Sequence, residues 1–374
     1  MAKTKIAHLL HSLGGVDVYV RLLLNNIDAD SFENIVIHGT KDTDVPFLDK
    51  NKKNVKQYKI SIFREISLLN DLKATYQTYQ VLKREKPDLI HCHSAKGGII
   101  GRVLGPLLGI KVIYTPHAFS YLSTQNTLKR GVFLGIEKLL AKRSSLLLAT
   151  SNSEKKRAIE EVGFDPQNTI VFNNCIEPIL KIEPLSIPKT WPDYYICTVG
   201  RPSYQKNIEH MVRVMNEVNK EVKIHLVVMG VGPVSDQLDS VKSLIQELDM
   251  EKEVTLLSWT ERKDVFNIID QSKLYISTAR YEGLPYAIIE SLALSKACIV
   301  TNCDGNRDLI TDGSNGFLVN EEPIQFKEKI LALLRDDKLL ETMSKKSQQV
   351  FAKNFSIKSN IKQLEAIYKS YNQL

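Results

Sequence analysis

The sequence predicts an α/β protein built as two doubly wound, Rossmann-like domains that face each other across a cleft. Short apolar runs alternate with longer amphipathic stretches along nearly all 374 residues, the pattern of parallel strands joined by helices. Prolines at 178, 184, 188 and 192 crowd one polar segment and mark a linker near the middle. A chain of this length buries two cores of ordinary size. The domains are placed at residues 1–185 and 186–355, with a C-terminal helix at 356–374.

Composition narrows the class. Charged residues make up 25% and apolar residues 43%, the balance of a globular protein with a water-facing surface. No secretory leader is expected, because Met1-Ala-Lys-Thr-Lys5 leads directly into a short strand. No apolar run reaches membrane-spanning length, since Arg102 and Lys111 interrupt the longest. Five scattered cysteines without a CxxC pair point to a reducing, cytoplasmic setting. Residues 1–188 carry 26 Lys and Arg against 18 Asp and Glu, while residues 189–374 carry 24 against 25. The basic excess of the first half suits an anionic membrane face, a phosphorylated substrate or simple solubility. Aromatic residues are sparse and not interleaved with the basic ones, so the stacking platform of a nucleic-acid binder is missing.

The elements follow in order. Residues 4–13 read as a first strand, and Gly14-Gly15 turns it into a helix at 16–26, where backbone can approach a phosphate or sugar. A strand at 34–38 precedes a basic stretch at 50–59 and a helix at 69–86, ended by Pro87. In the strand 88–93, His91 and His93 share a face by the period of two, but a third metal ligand at a plausible spacing is lacking. Residues from Ser94 open a helix with Lys96 near its start. The strand 111–115 ends in Pro116-His117, which puts a histidine at a sheet's carboxyl edge. Residues 128–143 alternate apolar and basic residues at helical spacing, either a membrane-surface helix or an amphipathic core helix. Strands at 145–150 and 169–172 complete the first domain.

The second domain opens with a strand at 194–199. Gly200-Arg201-Pro-Ser-Tyr-Gln-Lys206-Asn207 follows, two cations in a turn before a helix, which forms either an anion site or a salt-bridged turn. A core strand at 223–229 ends in Gly230-Val-Gly232-Pro233. A nicotinamide fingerprint is not completed there, because the next strand, 254–257, ends at Ser258-Trp259 without the required acid. Tyr281-Glu282-Gly283-Leu284-Pro285 links a strand at 273–279 to a helix that is expected to start at 290, or at 285. Glu282 and Glu290 read as two ligands for hydroxylated groups, or as a loop acid and a solvated helical acid. A strand at 297–301, a turn and strand at 312–319, and helices at 322–334, 339–351 and 358–371 end the chain.

Together these residues resemble the retaining family-four glycosyltransferases of the GT-B fold, closest in look to bacterial enzymes of capsule and surface polysaccharide. Gly200-Arg201 with Lys206, Gly230-Val-Gly232-Pro233, Glu282-Gly283-Leu284-Pro285 with Glu290, and Asp312 to Val319 match that family's second-domain motifs. Gly14-Gly15 and His117 match its glycine loop and active-site histidine. The resemblance implies that Arg201 and Lys206 hold the donor diphosphate and neutralise the leaving group, so that no obligatory metal or other cofactor is needed. Glu290 takes the ribose hydroxyls, while Glu282 with the amides of Gly283 and Leu284 holds the sugar and its phosphate. His117 faces the sugar from the other domain. Gly14, Gly15, Gly200, Asn207, Gly230 and Trp259 complete the expected nucleotide-sugar site.

On the same resemblance, residues 1–185 are the acceptor side and 186–355 the donor side, and the final helix packs back on the first domain. The implied partners are a UDP-sugar, a polyprenyl-diphosphate-linked saccharide and an anionic membrane surface, which places the protein in the cytoplasm, peripheral to the inner face of the plasma membrane. Asp17, Asp304-Gly305 and Ser295 depart from the family's usual Glu, Gly-Gly and Gly. The same fold also serves sugar-nucleotide 2-epimerases, which need no acceptor, and a non-catalytic sugar-nucleotide-binding protein is the other alternative.

Overall fold

The computed structural model describes residues 3–11, 14–63, 67–124, 126–143, 145–232 and 235–373. Ser12 and Leu13 of the first glycine loop, and Pro233 of the second glycine turn, lie outside them. The chain divides into two units, one of residues 1–177 with 357–374, the other of residues 178–356.

Unit 1 runs β1 (Thr4–Leu9), α1 (Gly15–Asn26), β2 (Phe32–Gly39), β3 (Lys56–Ile60), α2 (Leu68–Glu85), β4 (Leu89–His93), α3 (Ser94–Leu108), β5 (Lys111–Thr115), α4 (Thr127–Ala141), β6 (Leu146–Ala149), α5 (Asn152–Arg157) and β7 (Thr169–Val171). Its strands pair in the order β3-β2-β1-β4-β5-β6-β7, all parallel. Parallel strands are covered on both faces, so β1, β4, β5 and β6 are buried over most of their length, including His8 of β1 and His91 and His93 of β4.

Helix α3 packs unusually close to the sheet because its contact face is glycine. A Cβ at Gly101 would fall 2.0 Å from Cys92 Sγ, and one at Gly105 would fall 2.2 Å from a Val112 methyl carbon. Helix α2 stops where Lys86 turns left-handed at φ 45°, immediately before Pro87.

Unit 2 runs β8 (Tyr195–Val199), α6 (Ile208–Asn219), β9 (His225–Val231), α7 (Leu238–Glu247), β10 (Val254–Ser258), α8 (Arg262–Gln271), β11 (Tyr275–Ser277), α9 (Tyr286–Ala293), β12 (Cys298–Thr301), α10 (Asn306–Leu309), β13 (Gly316–Val319), α11 (Pro323–Arg335) and α12 (Asp337–Asn354). Its sheet has the order β10-β9-β8-β11-β12-β13, again parallel. Ile196, Leu226, Val228, Ile276 and Ile299 from the strands pack against Met211, Val214, Met215 and Phe326 from α6 and α11. A last helix, α13 (Ile357–Gln373), belongs to unit 1: Tyr368 is fully buried there and its hydroxyl lies 2.7 Å from His91 Nδ1.

Several expectations need correction. The first strand ends at Leu9. The basic stretch at 50–59 contains most of edge strand β3, whose exposed Lys56 and Lys59 lie on opposite faces and keep the edge charged. Strand β11 spans three residues rather than seven. Of the two starts expected for the next helix the earlier one holds: α9 begins at Tyr286 with Pro285 as its N-cap, so Glu290 sits in the helix interior. Helix α4 packs Phe133, Leu134 and Ala141 on the core of unit 1 and buries Leu140, as an amphipathic core helix does, and also leaves Leu128, Val132 and Leu139 exposed on its outer face. Among the described residues, no helix is long and apolar enough to cross a membrane.

Candidate active site

In unit 2 the strand order reverses beside β8, and the motif residues gather on the loops that leave the carboxyl ends of β8, β9, β11 and β12. Open α/β sheets bind ligands at such a reversal. The loop after β8 carries Gly200, Arg201 and Lys206. A Cβ on Gly200 would come within 3.2 Å of Lys206 Cγ and Cδ, so the missing side chain lets the lysine stem lie against the turn.

Lys206 Nζ reaches Glu282 Oε1 at 2.6 Å. Gln205 Nε2 donates to Glu282 Oε2 and to the Tyr281 carbonyl, each at 3.2 Å. Thr278 Oγ1 donates to the carbonyls of Lys206 at 3.1 Å and Asn207 at 2.9 Å. These bonds stitch the loop after β8 to the loop after β11. Asn207, buried at the start of α6, takes φ 53°, a conformation that asparagine tolerates better than most residues. Glu282 is 9% exposed while the Lys206 side chain keeps 25% of its surface, so the ammonium remains reachable. Arg201 is half-buried and makes no hydrogen bond or ion pair among the described residues.

The other donor-side residues frame this pair. Gly230 takes φ 92° at the end of β9 and approaches the Gly200 amide. Gly305, at φ 78°, lies so close to Gly283 that a Cβ would sit 2.7 Å from its carbonyl oxygen and 3.0 Å from Glu282 Cβ. Gly283 and Leu284 lead into α9, and Trp259, just beyond β10, is 84% exposed.

Glu290 is buried, and its Oε1 accepts from Arg262 Nε at 3.1 Å and Nη2 at 2.8 Å. Burial raises its pKa, against the pull of Arg262. Its Oε2 makes no hydrogen bond among the described residues. Arg262 and Gln205 are the contacts that sequence reasoning missed. Arg262 lies in no motif and Gln205 occupies a variable position of the Gly200–Lys206 motif, and each meets its carboxylate only through the fold.

In unit 1, Gly14 takes φ 57° as the N-cap of α1, and Gly15 begins the helix. His117 and Ala118 follow β5 with φ 55° and 74°, two successive left-handed non-glycine residues. Such strain persists only where surroundings enforce it. Here Glu154 does so, accepting from the Ala118 amide at 2.8 Å and the Thr150 amide at 2.6 Å. The Tyr19 ring packs edge-on against His117 at 4.7 Å.

The sheet register sets His8 of β1 beside His91 of β4, so a third histidine does join the pair read from the sequence. His8, His91 and His93 offer ring nitrogens within 4.8 Å of one another. Burial pushes His8 down to about 4 and His117 down to about 3, and holds His91 and His93 well below the usual histidine range. All four rings are neutral at pH 7.

Residues 185–350 match the family described as glycosyl transferases group 1, and residues 13–179 match glycosyltransferase Family 4. A relative from Escherichia coli, named a UDP-Gal:alpha-D-GlcNAc-diphosphoundecaprenol alpha-1,3-galactosyltransferase, is 29% identical over 98% of this chain and 97% of its own. A capsular polysaccharide biosynthesis glycosyltransferase of Staphylococcus aureus is 25% identical over 88% of this chain and 91% of its own.

Among solved structures, sucrose-phosphate synthase from Thermosynechococcus elongatus superposes with a TM-score of 0.84 at 17% identity, covering 98% of this chain and 99% of that one. Anabaena HepE in complex with UDP-glucose gives a TM-score of 0.78 at 18% identity over 98% and 99% of the two chains. These two likenesses establish the fold, and the sequence matches establish the lineage: the chain belongs to the glycosyltransferases of the GT-B fold, a Family 4 domain followed by a group 1 domain.

Proposed function

We propose that this protein is a retaining, metal-independent hexosyltransferase that moves a sugar from a UDP-sugar to a hydroxyl of a polyprenyl-diphosphate-linked saccharide during surface polysaccharide synthesis. The observation that carries the reading is the Lys206–Glu282 pair at 2.6 Å, with Arg201, which has no ion pair among the described residues, on the same loop. As the bond from the anomeric carbon to the diphosphate breaks, negative charge grows on the leaving oxygens. Arg201 and Lys206 meet that charge, the role that Mg²⁺ plays in other phosphate chemistry. Glu282 holds the ammonium in place beforehand, so little reorganisation accompanies the reaction. The acceptor hydroxyl attacks the same face of the sugar, and its proton passes to the departing diphosphate.

Glu290 Oε2, which makes no hydrogen bond among the described residues, supports a bond from a ribose hydroxyl. His117 is assigned a hydroxyl of the transferred sugar, with Gly14, Gly15, Gly230, Gly283 and Leu284 offering backbone to the diphosphate and sugar. The named donor and acceptor of the Escherichia coli relative support the substrate class. Exposed Leu128, Val132 and Leu139 beside Lys129, Arg130 and Lys138 on α4 support a peripheral membrane face. Binding to anionic liposomes that weakens as salt rises is the expected result, and indifference to such liposomes would remove this part.

The central test is calorimetric titration with UDP, GDP and ADP, each with and without Mg²⁺. Micromolar UDP binding that ignores Mg²⁺ is expected. Binding by none of the three would overturn the reading.

A further inference from the structure

Behind His117 stands a row of side chains that the transfer chemistry leaves unexplained. Asn34 Oδ1 on β2 lies 3.1 Å from His8 Nε2. His8 Nδ1 lies 3.2 Å from His93 Nε2, and His93 Nδ1 lies 3.3 Å from His117 Nε2. Successive imidazoles are nearly parallel, with interplanar angles of 17° and 24°. His8 and His93 are fully buried, whereas His117 keeps part of its surface open.

A neutral imidazole has one N–H and one lone pair, and which nitrogen carries the proton follows from its partners. An amide oxygen only accepts, so His8 donates to Asn34 from Nε2 and keeps its lone pair on Nδ1. That lone pair accepts the Nε2–H of His93. The Nδ1 of His93 then accepts the Nε2–H of His117. Donation therefore runs one way, from His117 to Asn34. His91 stands outside the row, its nitrogens matched to Tyr368 Oη at 2.7 Å and Thr115 Oγ1 at 2.9 Å.

We propose that Asn34, His8 and His93 are positioning residues that hold His117 as its Nε2–H tautomer and leave its Nδ1 lone pair as a fixed acceptor for a hydroxyl of the transferred sugar. The sugar assignment rests on the glycosyl-transfer reading; the tautomer does not. A divalent cation among His8, His91 and His93 is the competing use of the same nitrogens. It is disfavoured because every ring nitrogen of these three already has a partner, and because no carboxylate is hydrogen-bonded to the row among the described residues.

Long-range ¹H–¹⁵N correlation of the histidine rings in the full chain at neutral pH tests this directly. The unliganded protein should show His117 protonated at Nε2 and bare at Nδ1. His8→Leu removes the acceptor of His93 and frees the row to reverse, so His117 should move to the Nδ1–H form or to a mixture. Asn34→Leu, at a half-buried site, should loosen the row in the same sense with less strain on the core. His8→Gln should restore the wild-type tautomer, because its amide can accept from His93 and donate to Asn34.

In transfer assays His8→Leu should lower kcat/KM for the donor about tenfold, with the Kd for UDP unchanged and His8→Gln recovering activity. A wild-type His117 protonated at Nδ1, or a tautomer indifferent to both leucine variants, overturns the proposal. So does Zn²⁺ shifting the His8, His91 and His93 signals together at micromolar concentration. The expected tautomers in a protein that binds no nucleotide would support the lock and overturn the transfer reading alone.

Discussion

Lys206 is where charge, geometry and chemistry meet most closely. Its ammonium is held by Glu282, its backbone carbonyl by Thr278, and its stem by the absence of a side chain at Gly200. Lys206→Ala should therefore lower kcat by about 10²- to 10³-fold, as expected for a preorganised cation that meets charge developing in the transition state. Steady-state kinetics would show it, and near wild-type turnover would remove leaving-group stabilisation from this residue.

Glu290 behaves differently. Burial raises its pKa, so the folded state disfavours its charge and its ionisation subtracts from stability at neutral pH. Glu290→Gln should leave the melting temperature of unit 2 level or higher, since Arg262 is half exposed and stays hydrated alone. The same change should weaken UDP binding about 10- to 100-fold, the loss expected for a hydrogen bond to a charged group. In the wild type, UDP affinity should fall as acid protonates Glu290. The fall should begin at higher pH than the ordinary glutamate value of 4.5 would give, and should be missing in the Gln variant. Calorimetry across pH checks both statements.

Motif spacing made Arg201, Lys206, Glu282 and Glu290 legible. Arg262, Gln205 and His8 were not, because each finds its partner across 28, 77 and 85 residues of chain through a common side-chain type.

Among the elements, the buried ones were read well and the edges poorly. Strands β5 and β8 announce themselves as apolar runs bounded by turns. Strand β3 is hidden by lysines that face water, a usual protection for a sheet edge. The start of α9 was blurred because Pro285 and apolar Tyr286–Ile289 suit loop or helix alike. Departures from the family pattern also gain a local meaning here. Ser295 takes φ 57°, so the glycine common at that place fits the backbone better than the serine does.

Gly305 is under the tighter constraint. With φ 78° and Gly283 against it, the loop after β12 is pressed onto the Glu282 loop. Gly305→Ala should push these loops apart, raise the Kd for UDP-sugar about tenfold or more, and leave the melting of unit 1 unchanged. Binding calorimetry paired with a thermal scan separates the two effects.

At the scale of the molecule, the chain passes between its two units twice, after Glu177 and after Ser356. Helix α13 is part of the core of unit 1: Tyr368 packs on Phe32 at 5.9 Å and bonds His91, and the Glu365 carboxylate accepts from the Asp28 amide at 2.9 Å. Tyr368→Ala should destabilise unit 1 by about 3–5 kcal/mol, as for other truncations of a buried aromatic ring. Differential scanning calorimetry with UDP present should show that loss while the UDP-protected transition of unit 2 stays in place. A single shared transition moving as a whole would refute independent stability of the units.

The double crossing also bears on how the protein is made. Domains of a growing chain ordinarily fold from the amino end onward. Here the first half leaves the ribosome with His91 still waiting for Tyr368 and Asp28 for Glu365. Unit 2 emerges next as one unbroken segment, residues 178–356. The half that begins first is therefore the half that finishes last, and until α13 arrives its nascent surface is the one that a chaperone would meet.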